Sequence, residues 1–180
     1  MSVLLCSEIL IAIYRFLPLL QNRLYMAKLY INKDIVADKD KMENWYLTGE
    51  EGLSFPDIQN FLSWIDPNDH VIDIEIHSCG GDAVEGYAIY DALRASGKQI
   101  SCTAVGRCAS MATVILLAAA KERRFAYPHA KFLIHKPYMA SYDGDLDLET
   151  LESIKSNLES EKNKMLALYV ERTGSEASVI

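Results

Sequence analysis

Residues 71–105 constrain the fold more than any other stretch. Val71-Ile72-Asp73-Ile74-Glu75-Ile76 alternates apolar and polar side chains with the period of two expected of a half-buried strand. The run ends at His77-Ser78-Cys79-Gly80-Gly81, where paired glycines permit backbone angles closed to other residues. Ala83 to Ala95 then changes to helical spacing, and Gln99 to Val105 alternates again. Strand, glycine turn, helix and strand form a βαβ unit, so the two strands lie parallel and the crossover is right-handed.

The remaining elements extend that unit. Lys28 to Ile35 reads as a first strand, followed by a polar, poorly patterned surface segment through Gly52. Ser54-Phe55-Pro56-Asp57 is a helix-start signature, with Ile58, Phe61, Leu62 and Ile65 at helical spacing before the turn at Asp66-Pro67-Asn68-Asp69. Ser110 to Ala120 predicts a second crossover helix. Arg123 to Tyr127 and Lys131 to His135 predict short strands around Pro128-His129. A long helix from Leu148 to Arg172 carries Leu151, Ile154, Leu158, Met165 and Leu168, and exceeds what a small domain needs for its own core. Alternating strands and helices predict a layered α/β fold.

Composition bounds the function. The chain has 180 residues, half of them apolar and 24% charged, with a net charge of −7, which argues against nucleic-acid binding. Cys6, Cys79, Cys102 and Cys108 show no metal-type pairing and read as reduced thiols of a cytoplasmic protein. Residues 1–25 differ from the rest. Val3-Leu4-Leu5 and Ile9 to Ile13 are strongly apolar, but the pattern fits neither a secretory signal nor a membrane span. They read as an apolar N-terminal extension to a domain at 26–180.

The candidate chemistry lies at Gly106-Arg107-Cys108-Ala109-Ser110-Met111-Ala112. Ser110 stands between a strand and an apolar helix, where first-turn N–H groups lack intrahelical partners and the helix dipole is positive. It reads either as a helix N-cap or as a nucleophile. A nucleophile needs a base, and His135, at the end of its strand, would reach the same sheet edge. His70 and His129 lie in polar turns and read as solvated, whereas His77 and Cys79 could share a face. No third ligand accompanies that pair, so no metal site is expected. Gly80-Gly81 would leave N–H groups uncovered and supply one oxyanion donor, and the N–H of Met111 would supply the other. A plain βα turn and a phosphate-binding loop are the alternatives, the latter without the spacing or lysine it requires.

Four segments together carry a family resemblance: Ile76-His77-Ser78-Cys79-Gly80-Gly81-Asp82-Ala83-Val84-Glu85-Gly86, Ile89-Tyr90-Asp91, Gly106 to Ala112, and Ile134-His135-Lys136-Pro137. Over residues 28–176, their order and spacing resemble the Clp peptidase (ClpP) family and its phage head-maturation branch. The resemblance implies a ClpP/crotonase-type layered fold of βαβ units with a protruding handle helix. It further implies a serine endopeptidase with Ser110 as nucleophile, His135 as general base, and Gly81 and Met111 as oxyanion donors. A peptide would add as a strand along Gly80, Asp82, Ala83 and Val84, near Tyr138. No cofactor or metal is implied.

The implied partners are peptide or unfolded-protein substrates, further copies in stacked rings enclosing a chamber, and an ATP-dependent unfoldase or phage capsid proteins. Neither nucleic acid nor membrane is expected. Three departures accompany the resemblance. Cys79 replaces the proline that would stiffen the turn, Met139-Ala140 replaces a flexible glycine pair, and the family's triad aspartate is expected beyond Ile180. Asp143, Asp145 and Asp147 lie on the loop toward the handle. A non-catalytic ring subunit and a crotonase-like acyl-CoA enzyme are the rival readings.

Overall fold

The computed structural model describes residues 26–139 and 144–178. The apolar extension at 1–25 lies outside the described residues, as do Ala140 and Asp143. Five strands form one parallel sheet: β1 (Met26–Ile31), β2 (Val71–Ser78), β3 (Gln99–Ala109), β4 (Arg124–Ala126) and β5 (Lys131–Leu133). Their order is β1-β2-β3-β4, and β5 also pairs with β3, beyond β4 along its length. The predicted βαβ unit is its centre, with Val71 opposite Met26 on one side and Gln99 on the other.

The alternation of β2 explains its place. Ile72, Ile74 and Ile76 are fully buried, together with Ile31, Ile89, Leu93, Val114 and Ile115. Burying each such side chain stabilises the fold by about 1.5–3 kcal/mol. The helices over this face are α2 (Phe55–Trp64), α3 (Ala83–Ala95) and α4 (Met111–Leu116). The capping box expected at the start of α2 is present: the Asp57 carboxylate accepts the Ser54 N–H at 2.8 Å. Glu85 of α3 accepts the Phe55 N–H at 2.6 Å, tying the two helices together.

Several boundaries differ from the sequence reading. Asp38–Asp40 makes a 3-10 turn and Lys41–Thr48 forms a helix, α1, within the polar segment. None of its residues is buried, so it lies on the surface, but its weak amphipathic signal concealed the helix. β3 extends to Ala109 rather than ending at Val105. Ile76 pairs with Ala104 but Ser78 with Cys108, so two extra residues of β3 are accommodated in an irregularity. That irregularity breaks the alternation at Gly106-Arg107. α4 is shorter than predicted, ending in successive tight turns at Leu117, Ala118 and Ala119. β5 stops at Leu133, which leaves His135 two residues past the strand. The following Pro137 has no N–H to continue a ladder.

The last helix, α5 (Leu148–Thr173), has 26 residues and closes on Gly174 at φ 74°. Its N-terminus is capped by Asp147, whose carboxylate accepts the Thr150 N–H at 2.7 Å. Only its C-terminal half enters the core, through Met165 and Tyr169, whereas Leu148 and Leu151 are exposed. Two arginines anchor that half. Arg172 donates to the carbonyls of Leu117 and Ala119, while Arg124 donates to Ala119 and, at 2.8 Å, to the Arg172 carbonyl. Cations thereby meet the orphan carbonyls that end α4 and α5.

Candidate active site

The strand order places the candidate residues. Ala109 pairs with Leu133, and the next residue, Ser110, donates its N–H to the Leu133 carbonyl at 2.8 Å. This brings Ser110 and the segment leading to His135 side by side at the C-terminal edge of the sheet, the edge where ligands of parallel α/β sheets gather. Ser110 has φ 51° and ψ −127°, and is the one non-glycine residue with positive φ among those described. It occupies the N-cap position of α4 without a side-chain capping hydrogen bond, so the hydroxyl is not spent on the helix. Strained backbone at a strand-to-helix junction is the geometry that exposes a nucleophile.

Thr113 instead holds the Ser110 carbonyl. Its N–H donates to the Ser110 carbonyl at 2.9 Å, and its hydroxyl donates to the same oxygen. A threonine hydroxyl has one proton, so in its contact with Tyr169 the tyrosine is the donor. A chain of hydrogen bonds therefore runs from α5 through Thr113 to the Ser110 turn. Neither Thr113 nor Tyr169 was singled out in the sequence. The usable signal was the lone hydroxyl within each apolar pattern.

The glycine turn lies against this junction. Gly80 has φ 86°, and a Cβ there would stand 2.7 Å from the Met111 nitrogen and 2.8 Å from the Ser110 Cβ. Gly81 has φ 144°, and a Cβ there would meet the Ile35 carbonyl at 2.0 Å. Among the described residues, neither the Gly81 nor the Met111 N–H donates to any acceptor. The turn lacks its proline, but it is pinned by other means. The Ser78 hydroxyl donates to the Lys33 carbonyl at 2.7 Å and accepts the Gly80 N–H. Gly80 in turn accepts the Ile35 N–H, and Ile35 accepts the Asp82 N–H. Asp82 caps α3 by accepting the Glu85 N–H, Ala83 is half-buried beside it, and Val84 is exposed.

His135 borders a cleft of about 480 Å³ with Ile134, Pro137, Met165 and Tyr169. Its ring lies 5.4 Å from that of Tyr138, and its Nδ1 is 2.8 Å from the Lys136 carbonyl. Among the described residues no hydrogen bond joins it to the Ser110 hydroxyl. His77 and Cys79 both meet Arg107: the ring Nδ1 accepts its backbone N–H at 3.3 Å, and the thiol sulfur accepts its guanidinium at 3.0 Å. His70 and His129 are exposed. Burial pushes the Cys102 and Cys108 thiols up to about 12, which leaves them protonated and unreactive. No group of three metal-ligating side chains and no helix long and apolar enough to cross a membrane occurs among the described residues.

A parallel sheet that presents a strained serine beside a double-glycine turn, with a long helix leaving the core, defines an α/β protein of the ClpP type. Residues 57–180 match the Clp protease family, and the chain belongs to it. The chain is 32% identical over 124 residues to the ATP-dependent Clp protease proteolytic subunit 1 of Chlamydia muridarum, covering 67% of this chain and 62% of that protein. It is 37% identical over 102 residues to the proteolytic subunit of Porphyromonas gingivalis, covering 54% of this chain and 46% of the relative. The chain thus spans less than two thirds of the relatives it matches. A solved ClpP1 mutant from Listeria monocytogenes shares the fold with a TM-score of 0.64 at 20% identity, over 91% of this chain and 80% of that one.

Proposed function

We propose that the protein is a serine peptidase that hydrolyses peptide bonds. The observation that carries this reading is the strained Ser110, whose hydroxyl is left out of the α4 cap while, among the described residues, the Met111 N–H and the Gly81 N–H have no acceptor. Membership of a family whose relatives are named as Clp protease proteolytic subunits supports it. Ser110 attacks the scissile carbonyl as His135 takes its proton. The two N–H groups hold the tetrahedral oxyanion, His135 returns the proton to the leaving amine, and water releases the acyl group. The approach of His135 Nε2 to Ser110 tightens as substrate binds, a change common to catalytic hydrogen bonds absent from unliganded enzymes.

A peptide would lie as an added strand along Gly80 and Asp82 to Val84, with Tyr138 at its flank. Further copies would cover the exposed leucines of α5 and enclose the sites in a chamber, and an ATP-dependent unfoldase would supply unfolded chains. The test is fluorophosphonate labelling read by intact mass. One adduct on the parent chain and none on Ser110→Ala is expected. An adduct that persists in Ser110→Ala, or no adduct on the parent, would overturn the assignment.

A further inference from the structure

Neutral imidazole carries one proton, and the nitrogen that holds it decides whether histidine can serve as a base toward a given neighbour. His135 Nδ1 lies 2.8 Å from the Lys136 carbonyl oxygen. A carbonyl can only accept, so Nδ1 carries the proton and Nε2 carries the lone pair. We propose that the Lys136-Pro137 peptide group positions His135, its carbonyl fixing the Nδ1–H tautomer that leaves Nε2 as the base toward Ser110.

The local sequence explains why this carbonyl holds its direction. Lys136 precedes Pro137, and the proline Cδ disfavours the helical region for the residue before it. Lys136 is thereby biased toward extended conformations, which limits the freedom of its carbonyl to turn away. Tyr138 lies beside the imidazole, with ring centroids 5.4 Å apart and planes tilted by 45°. Of the carboxylates that follow in sequence, Asp147 is engaged with the Thr150 N–H as the cap of α5. Among the described residues, no acidic side chain forms a hydrogen bond or ion pair with His135.

This inference rests on the peptidase reading for its catalytic meaning, but the tautomer can be measured without turnover. In the full chain labelled with ¹⁵N-histidine, two-bond ¹H–¹⁵N correlation spectra distinguish protonated from unprotonated ring nitrogens, and His135→Gln assigns the signal. Spectra are taken near pH 8.5, about two units above the ordinary imidazole value. The parent should show the Nδ1–H pattern, the reverse of the preference of free histidine. Pro137→Ala and Lys136→Gly, each of which frees the carbonyl, should move His135 toward the Nε2–H pattern. They should also slow fluorophosphonate inactivation about three- to tenfold, in proportion to the lost Nδ1–H population.

An Nε2–H pattern in the parent, or an unchanged Nδ1–H pattern in variants that label slowly, overturns the proposal. Should Pro137→Ala fail to fold, the parent spectrum and Lys136→Gly decide. If the tautomer responds as expected while Ser110 is never labelled, the positioning stands and the peptidase reading falls.

Discussion

Ser110 donates its backbone N–H to the carbonyl of Leu133 at 2.8 Å, so the residue that turns out of β3 is fastened to the end of β5, two residues before His135. This one bond sets the distance between the two halves of the candidate site. It exists because β5 pairs with β3 beyond the end of β4, in register from Arg107↔Lys131 to Ala109↔Leu133.

Strain at Ser110 makes a prediction about stability that runs opposite to activity. A non-glycine residue held at φ 51° costs about 1–3 kcal/mol. Ser110→Gly should unfold about 1 kcal/mol later than Ser110→Ala in urea, after the flexibility of glycine in the unfolded chain is allowed for, while neither variant is labelled. Equal stability of the two would show that the turn is relaxed.

The glycines can be ranked by what a methyl group would meet. Gly97, at φ 70°, faces open space, so Gly97→Ala should cost only the left-handed penalty of about 1–2 kcal/mol. Gly80→Ala adds a collision with Ala109, Ser110 and Met111, and about 1–3 kcal/mol more. Urea midpoints of the two variants compare them directly, and an equal loss would contradict the close approach of Gly80 to the serine turn.

Thr113 and Tyr169 join α4 to α5. Tyr169→Phe and Thr113→Val should each destabilise the chain. A double-mutant cycle should return a coupling of about 1 kcal/mol, since the Tyr169 hydroxyl finds its acceptor in Thr113 in a buried place. Additive losses would mean that the two side chains act separately.

The start of α2 should respond to pH. Burial pushes the Asp57 carboxyl up, but the Lys41 ammonium and the Ser54 donors outweigh it and hold the group below the usual carboxylate range. Lys41 and Ser54 likewise lower Asp38. Groups with depressed values contribute stability above the unfolded-state value and lose it as pH falls through the folded one. Unfolding free energy should therefore hold through neutral pH and decline below about pH 4. Asp57→Asn should flatten that decline. For Lys41, burial lowers its value, but Asp57 and Asp38 raise it further, so its contribution persists until the pH rises past that of an ordinary lysine. A decline of the same slope in Asp57→Asn would place the acid sensitivity elsewhere.

The exposed leucines of α5 predict self-association. Leu148 is 81% exposed and Leu151 47%, on a helix whose other end is anchored in the core. Sedimentation of the parent at micromolar concentration should show an oligomer, and Leu148→Glu with Leu151→Glu should shift it toward monomer. A parent that sediments as a monomer would leave this half of the helix without the cover proposed for it.

The βαβ centre was legible in the sequence because Ile72, Ile74 and Ile76 alternate with polar residues, and only one strand face can bury such a pattern. The same locality made the caps readable, since Ser54 and Asp57 lie three residues apart. The serine, the histidine and the glycine pair could be named from their motifs. Their mutual placement could not, because it depends on contacts between residues distant along the chain. The irregularity that carries β3 on to Ala109 appears only when Ser78 is paired with Cys108. The pin from Ile35 to Gly80 and the anchoring of α5 through Arg172 and Tyr169 likewise join distant segments, and no local periodicity announces them. Residue pattern determined the layers and the chemistry at hand. The tertiary structure decided the backbone angle at Ser110 and the fastening of that turn to the Leu133 carbonyl, because strain and hydrogen-bond direction are set only when separate elements close on one another.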